Sequence, residues 1–152
     1  MKKVLSILAF VVLLSSSAYP FRLGLEFQAT ADNHNDLGRV AVNMRLNDLV
    51  ELKPMLGFKF SENNNRFSIG MDGNFYLPPI QDLQHYAGPG LAFDAFPNGN
   101  TFQLHGQYGL RYDFNEILST FGEIGVGMDF DPFVFGTFRG AVGLTIFFPT
   151  FQ

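Results

Sequence analysis

Apolar and polar side chains alternate along most of the chain after residue 20. Because successive side chains on a strand point to opposite faces, this period of two predicts β-strands that are apolar on one face. In the segment 102–114, for example, Phe102 and Leu104 fall on one face, and Gln103 and Arg111 fall on the other. The alternation predicts eight strands, at 21–29, 39–46, 50–60, 66–77, 84–95, 102–114, 119–130 and 138–148.

The stretches between these segments are rich in Asn, Asp and Pro, which are residues typical of turns. No segment after residue 20 repeats its apolar positions with the period of a helix. Eight antiparallel strands can close into a barrel, and closure leaves no unpaired strand edge. The predicted fold is therefore all-β, an eight-stranded antiparallel up-and-down barrel.

The first 18 residues have the three parts of a secretory signal peptide. Met1–Lys3 is basic, Val4–Leu14 is mostly apolar, and Ser15–Ala18 is made of small residues. A membrane anchor is the alternative, but this apolar run is shorter than the roughly 20 residues that a helix needs to cross a bilayer. We therefore expect residues 1–18 to be removed as a signal peptide, leaving residues 19–152 as one barrel domain.

Composition and charge exclude several function classes. The chain has no cysteine, which rules out a disulfide scaffold, a thiol nucleophile and a cysteine-based zinc site. Its net charge of -4 becomes −6 when Lys2 and Lys3 leave with the signal peptide, since eight basic residues then face fourteen acidic ones. A basic surface for nucleic acid is missing, so we expect no nucleic-acid partner.

The charged side chains concentrate on the polar faces of the predicted strands. All eight basic residues of the mature chain fall there, together with seven of the fourteen acidic residues. This near balance favours a closed interior, because a buried charge without a partner is strongly destabilising, whereas exposed pairs contribute little. The predicted interior charge network consists of Arg22, Glu26, Arg39, Arg45, Glu51, Lys53, Lys59, Asp72, Arg111, Asp113, Glu123 and Arg139.

The opposite faces of the strands are bulky and apolar, with aromatic residues such as Phe21, Phe60 and Phe102 near the strand ends. An apolar band flanked by aromatic girdles around a polar interior is typical of a transmembrane β-barrel. Nine of the sixteen glycines share the polar face, where they make room for charged side chains inside a narrow barrel. The alternative is a secreted, soluble, lipocalin-like barrel with its apolar faces inside, binding a small apolar ligand.

Two local features test the predicted pairing of the strands and the assignment of their inner and outer faces. If residues 47–49 form a three-residue turn, Arg45 lies opposite Glu51, and the two side chains are predicted to form an ion pair in the interior. Pro54 and Pro89 fall inside strands, where proline removes a donor from the ladder, so we expect β-bulges at both positions.

The sequence resembles the small eight-stranded outer-membrane proteins of bacteria, the OmpX, OmpA-barrel and OmpW group. The resemblance rests on the segment Met1–Ala18, the eight alternating segments, the charged face and the last strand, Phe138–Phe148. It implies a location in the bacterial outer membrane, contact with outer-membrane lipids, a monomer, and biogenesis through periplasmic chaperones and the barrel-assembly machinery. In that group alternate apolar residues of the last strand form the assembly signal, which here corresponds to Phe138, Val142, Leu144, Ile146 and Phe148.

The sequence shows no catalytic constellation, so we predict no enzyme and no cofactor. Some barrels of this kind modify lipids, which requires a nucleophile, a base and an orienting acid at one rim. No serine is spaced from a histidine in a way that indicates such a site. His105 lies on the polar face between Gln103 and Gln107, and we interpret it as a hydrogen-bonded structural residue.

The segment 32–36 contains His34 between acidic and amide residues, and we interpret it as a solvated loop rather than a metal site. An eight-stranded barrel leaves no water channel once its interior is filled. The predicted function is a non-enzymatic outer-membrane barrel with a closed, charge-paired lumen, which supports envelope integrity or minor surface interactions. A narrow channel and a lipid-modifying enzyme stay open as alternatives.

Overall fold

The computed structural model describes residues 21–32, 36–60, 65–97, 99–130 and 133–148. The predicted signal peptide lies outside these residues. The described part of the chain forms eight strands, which are β1 (Arg22–Asp32), β2 (Asp36–Arg45), β3 (Val50–Lys59), β4 (Arg66–Tyr76), β5 (Leu83–Phe96), β6 (Gly99–Asp113), β7 (Leu118–Phe130) and β8 (Phe133–Phe147).

Each strand pairs antiparallel with the next one along the chain, and β8 pairs with β1, so the sheet closes into an up-and-down barrel. The predicted all-β, eight-stranded antiparallel fold is confirmed. We call the end that carries the connections 46–49, 77–82 and 114–117 the turn end, and the opposite end the loop end. No helix in the described ranges is long and apolar enough to cross a membrane.

The strands are staggered around the barrel. A line of cross-strand neighbours that starts at Arg22 in β1 passes around all eight strands to Arg139 in β8 and returns to β1 at Asp32, ten residues further along. Such a stagger tilts the strands by roughly 35–45° against the barrel axis. Side chains that are far apart in the sequence therefore meet across the interior.

Buried and exposed side chains alternate along the strands, most regularly in β4 and β6. The charged face is the buried one, since Arg111, Glu123 and Arg139 are all buried. The apolar face is exposed, as Leu104 and Ile146 illustrate. The charged face thus lines the interior, and the apolar face forms the outer wall.

Exposed aromatic rings gather near both ends of the outer wall. At the loop end the exposed rings are those of Phe58, Phe60, Phe67, Phe102, Phe130 and Phe133, and at the turn end they are those of Phe21, Phe75, Tyr112, Phe114 and Phe148. Some of them pack together, with ring centroids 5.7 Å apart for Phe102 and Phe130 and 5.2 Å apart for Tyr112 and Phe114. The two aromatic bands enclose a wall of mainly aliphatic side chains.

The three-residue turn predicted at 47–49 is present. Arg45 is the cross-strand neighbour of Glu51, and the Leu46 N–H donates to the Val50 carbonyl at 2.9 Å. Asn47 explains the tight turn, because its Oδ1 accepts hydrogen bonds from the backbone N–H groups of residues 49 and 50, both at 2.8 Å. An asparagine side chain that binds backbone two or three residues ahead is a common turn device.

The bulges predicted at Pro54 and Pro89 do not form, and this prediction is wrong. The ladder skips two pairs on one side of each proline, but its register is the same before and after the gap. Proline lacks a single N–H, so only one neighbouring strand loses a donor while the other side stays paired. The register shift between described strands lies at Gly127 and Met128, opposite Gly136, whose φ of 86° is readily adopted by glycine.

Candidate functional site

A buried network of ion pairs fills the interior near the turn end and centres on Arg111. Its Nη1 lies 2.6 Å from Glu51 Oε2, and its Nη2 lies 3.4 Å from Glu26 Oε2. Arg111 also donates to the hydroxyl of Tyr76, which in turn donates to Glu51 Oε2 at 2.9 Å. The rings of Tyr76 and Phe147 lie 5.6 and 5.8 Å from the guanidinium carbon. Arg111 is therefore held by opposite charge, hydrogen bonds and aromatic faces together.

Neutral donors complete the hydrogen bonding of the two glutamates. Asn43 Nδ2 and Thr145 Oγ1 each donate to Glu26 Oε2 at 2.9 Å. Asn74 Nδ2 donates to Glu51 Oε1 at 2.9 Å. A buried charge is tolerated only where it is paired and hydrogen-bonded, so these three uncharged residues belong to the network as much as the ions do.

Lys53 joins this cluster to a second one nearer the middle of the barrel. Its Nζ lies 3.1 Å from Glu123 Oε2, 3.3 Å from Glu26 Oε1 and 3.8 Å from Asp72 Oδ2. Glu26 also contacts Arg111. One continuous network therefore connects β1, β3, β4, β6 and β7 across the interior.

Arg139 on β8 completes the second cluster. Its Nη2 lies 3.0 Å from Glu123 Oε1 and 3.2 Å from Asp72 Oδ2, and the Tyr86 hydroxyl donates to Glu123 Oε2 at 3.0 Å. His105 Nε2 lies 3.0 Å from Asp72 Oδ1 and 2.7 Å from Arg139 Nη1. His105 is thus a hydrogen-bonded member of the interior, as its position on the polar face predicted.

The connected network holds four carboxylates and three cations. Because the carboxylates outnumber the cations, neutral side chains donate further hydrogen bonds to the carboxylate oxygens. Its charged members are Glu26, Glu51, Lys53, Asp72, Arg111, Glu123 and Arg139. Burying such charges removes their hydration, so the network as a whole contributes little net stability. Removing a single member would strongly destabilise the fold, because its partners would stay buried and unpaired.

The predicted ion pair between Arg45 and Glu51 is absent, although the two residues are cross-strand neighbours. Glu51 instead binds both terminal nitrogens of Arg111, at 2.6 and 3.3 Å, and this two-pronged contact is the stronger geometry. Arg45 donates to Gln84 Oε1 at 3.1 Å, and Gln84 donates to Asp113 Oδ2 at 2.9 Å. Arg45 and Asp113 therefore form a separate polar chain at the turn end.

Three other predicted members also lie outside the central network. Arg22, at the turn end, donates to the backbone carbonyl of Glu116 at 2.5 Å. Arg39 is buried between the network and the loop end, where its Nη1 lies 3.7 Å from Met55 Sδ. Lys59 is half-buried at the end of β3, beside the loop end.

Sequence reasoning missed several uncharged members of the network. Asn43 and Asn74 share strand parity with the neighbouring charges, and this parity is the signal that could have identified them. Tyr86 lies in the least regular segment, so alternation gave no clear face for it. Another buried ion pair, between Arg66 and Asp94, lies nearer the loop end.

The predicted assembly residues lie on the outer wall of β8 or directly after it. All five residues of this set are exposed, and they are Phe138, Val142, Leu144, Ile146 and Phe148. The N–H of Phe148 donates to the Leu23 carbonyl on β1 at 2.8 Å, which ties the end of β8 to the first strand. Their role in assembly stays a prediction.

The described interior offers little for catalysis. The hydroxyls of Ser68 and Ser119 are buried, and neither is hydrogen-bonded to a histidine. His85 lies beside Tyr108 near the turn end. Among the described residues no group of three or more His, Asp or Glu could hold a metal ion. His34 lies outside the described residues.

Gly90 and Gly106 provide a matched test of the packing inside and outside the barrel. A Cβ added at Gly90 would lie 2.2 Å from both Asp72 Oδ1 and His105 Nε2, whereas nothing lies within 4 Å of a Cβ added at Gly106. We expect Gly90→Ala to lower the free energy of unfolding by about 1–3 kcal/mol, because it overpacks the network. Gly106→Ala should change it by less than about 0.5 kcal/mol.

Urea unfolding of both variants in the same detergent measures this difference. Equal effects of the two substitutions would contradict the close packing of Asp72 and His105 against β5.

No known protein-family model matches the sequence, and no curated protein matches it either. Solved structures do share its fold. The N-terminal β-barrel domain of Pseudomonas aeruginosa OprF aligns with a TM-score of 0.67 at 17% identity, covering 84% of this chain and 97% of that one. Neisserial surface protein A aligns with a TM-score of 0.55 at 11% identity, covering 86% and 96%.

A barrel from the de novo design of transmembrane β-barrels aligns with a TM-score of 0.60 at 16% identity, covering 86% of this chain and 98% of that one. At these identities the likeness concerns the fold alone. The chain has the fold of the small eight-stranded outer-membrane barrels.

Proposed function

We propose that the chain is a non-enzymatic integral protein of the bacterial outer membrane. In this proposal its lumen is closed by the ion-pair network, and it supports envelope integrity or minor surface interactions. The observation that carries the proposal is the reversed polarity of the barrel, with charged side chains buried and apolar side chains exposed. This is the arrangement that a barrel needs when lipid is its outer solvent.

The outer wall supports a lipid environment. Proteins dissolved in water rarely expose continuous apolar patches larger than a few hundred Å². Here exposed apolar residues continue around all eight strands, with aromatic bands at both ends. The closed ladder also pairs the strands with one another, as a membrane interior requires. Outer-membrane lipids are therefore the proposed partners of this wall.

The proposed biogenesis follows from the same surface. Both ends of the described chain lie at the turn end, which we assign to the periplasm, and the loop end then faces outward. The apolar face of β8, with Phe138, Val142, Leu144 and Ile146, would be the surface that the barrel-assembly machinery reads after delivery by periplasmic chaperones.

The soluble carrier is supported less well. A lipocalin-like barrel requires an apolar cavity, but most of the buried side chains in the described part of this barrel are polar or charged. Phe121 lies 5.1 Å from Lys53 Nζ, and Phe147 lies 5.8 Å from the Arg111 guanidinium. These rings pack against cations instead of lining a pocket for an apolar ligand.

Membrane fractionation and electrophoresis test the proposed location. We expect the full-length protein to stay in the outer-membrane fraction after an alkaline wash, to require detergent for extraction, and to change its gel mobility on boiling. Recovery of the folded protein in the soluble fraction would contradict the proposal.

Planar-bilayer recordings test the closed lumen separately. The ionised groups of the network meet across the interior, so we expect the wild-type protein to add no steady conductance to the bilayer. A steady, single-channel conductance from the purified protein would show an open path and favour the narrow channel.

A further inference from the structure

The charges of the central network do not balance. Its acidic members are Glu26, Glu51, Asp72 and Glu123, and its cations are Lys53, Arg111 and Arg139. All of these residues are more than nine-tenths buried. A buried charge without an opposite charge is strongly destabilising, so the arrangement calls for a fourth positive charge or for a proton on one of the carboxyl groups.

His105 is the titratable side chain beside the network that would supply a fourth positive charge. Its Nε2 lies 2.7 Å from Arg139 Nη1, and a protonated ring would set two positive charges against each other at this distance. Asp72 Oδ1, 3.0 Å from the same nitrogen, belongs to a carboxylate that Arg139 and Lys53 already share. A proton on a carboxyl group therefore balances the network better than a protonated histidine does.

Glu26 is the carboxyl group with the longest contacts to cations. Lys53 Nζ lies 3.3 Å from its Oε1, and Arg111 Nη2 lies 3.4 Å from its Oε2. Each cation is closer to another carboxylate, since Lys53 is 3.1 Å from Glu123 and Arg111 is 2.6 Å from Glu51. The other three carboxylates of the network each have a cation within 3.2 Å. Where carboxyl groups share cations in this way, one of them retains a proton.

The remaining neighbours of Glu26 also disfavour a negative charge on it. Its ionisable neighbours are Lys53 and Glu51 on β3, Tyr86 on β5, Arg111 on β6 and Glu123 on β7, while Asp72 on β4 shares Lys53 with it and Arg39 on β2 contacts Met55 Sδ at 3.7 Å. Two of the close neighbours are therefore carboxylates that would repel an ionised Glu26.

Both neutral partners of Glu26 can accept a hydrogen bond as well as donate one. Thr145 Oγ1 and Asn43 Nδ2 each lie 2.9 Å from Glu26 Oε2. A hydroxyl has lone pairs and can turn its hydrogen away, whereas Arg and Lys can only donate. Asn43 Oδ1 is buried without a hydrogen-bond partner among the described residues, and turning the amide brings this oxygen to Glu26. Glu26 thus has acceptors for the O–H of a carboxylic acid.

We propose that Glu26 holds a proton at neutral pH, so that three carboxylates face three cations and the network is neutral as a whole. Its O–H donates to Thr145 Oγ1 or to Asn43 Oδ1. The proton comes from solvent as the barrel folds, because a glutamate of the unfolded chain is ionised above about pH 4.3. The lumen is then a proton-binding site, and folding is coupled to the uptake of one proton.

Infrared spectra of the folded protein in detergent at pH 7 test whether the proton is present. We expect the C=O band of an un-ionised carboxylic acid in the wild-type protein, because exposed carboxylates are ionised at this pH and do not contribute to it. The band should be absent from Glu26→Gln and unchanged in Glu116→Gln, whose side chain is exposed in a turn. A wild-type spectrum without this band, or a band that persists in Glu26→Gln, would overturn the proposal.

Substitution of each carboxyl group by its amide tests where the proton lies. The amide of Glu26→Gln donates to Thr145 or Asn43 as the acid does, so we expect the equilibrium constant for unfolding at pH 7 to change less than about threefold. In Glu51→Gln an N–H replaces an oxygen that accepts from Arg111, so the constant should rise at least about a hundredfold. Asp72→Asn and Glu123→Gln should resemble Glu51→Gln. Equal losses at all four positions, or a tolerated change at a position other than 26, would contradict a proton on Glu26.

The pH dependence of unfolding provides an independent measurement. Because unfolding releases the proton, the equilibrium constant for unfolding of the wild-type protein should rise with pH, and Glu26→Gln should lack this contribution. Between about pH 5.5 and 6.5 we expect the ratio of the wild-type constant to that of Glu26→Gln to increase about tenfold. Both proteins contain the same three histidines, so histidine titration cancels in the ratio. A constant ratio would refute the coupling, and the result does not depend on the proposed location of the protein.

Discussion

Replacing Arg111 with methionine is expected to lower the free energy of unfolding by about 3–5 kcal/mol, the usual cost of breaking a buried ion pair. Arg111 contacts Glu51 at 2.6 Å and Glu26 at 3.4 Å, and all three side chains are fully buried. Without the guanidinium both carboxylates would remain in the interior with too few donors. Methionine keeps much of the volume, so the loss would report the charge and its hydrogen bonds.

Arg22→Met is the matched control for this prediction. Arg22 is half-buried at the turn end, where it donates to a backbone carbonyl instead of to a buried carboxylate. We expect this change to cost no more than about 1 kcal/mol. Urea titrations of both variants, followed by gel mobility or circular dichroism in one detergent, provide the comparison. Similar losses for the two variants would contradict a central role for Arg111.

Lys53→Met should cause a loss of similar size, about 3–5 kcal/mol. Its Nζ is within 4 Å of three carboxylates, on Glu26, Asp72 and Glu123. Removing it leaves four carboxylates facing two arginines in the connected network. Lys59→Met, at the half-buried end of β3, is the matched control, and we expect a smaller loss there, because a charge that keeps contact with water depends less on its partners.

A double substitution tests whether the effect of Lys53 arises from charge pairing. Lys53→Met together with Glu123→Gln removes one cation and one anion, so the double variant should be more stable than the sum of the single effects predicts. We expect an interaction free energy of about 1–3 kcal/mol in a thermodynamic cycle measured by urea unfolding. Strict additivity would mean that the two side chains do not interact in the folded protein.

The sequence pattern predicted the strands and their two faces because both follow from alternation within a strand. Arg111 and Glu123, for example, fall on the polar parity of their own segments and are buried in the structure. The pattern could not predict which charges meet. Glu51 binds Arg111, three strands away, and not its neighbour Arg45. The stagger of the closed barrel decides such contacts, and no single strand encodes it.

The irregular positions show a second limit. Proline at position 54 looked like a cause of a bulge, but losing one donor only removes ladder pairs on one side. The observed bulge lies opposite Gly136, and it has a signal in the sequence. Phe133 and Phe135 share one parity and Phe138 has the other, so the apolar face changes parity across that glycine. Tyr86 was missed because its segment alternates least clearly.

A network of this kind favours one arrangement of the barrel more than it adds stability. Each ion is buried only where its partners are correctly placed. A β-strand shifted by one residue would expose its charged side chains to lipid and leave their partners buried without an opposite charge. The glycines opposite the network contribute to the same specificity. A Cβ at Gly109 would lie 2.3 Å from the ring of Tyr86, which leaves no room for another side chain there.

In the proposed arrangement the apolar face meets lipid and the charged face does not. The chain has no tryptophan, so a single introduced tryptophan reports its own surroundings. Met71→Trp places it on the outer wall of β4, and Phe121→Trp places it in the buried interior beside Lys53. In liposomes that contain dibrominated phosphatidylcholine, we predict strong quenching of Met71→Trp fluorescence and little quenching of Phe121→Trp. Strong quenching at position 121 with none at position 71 would contradict the account.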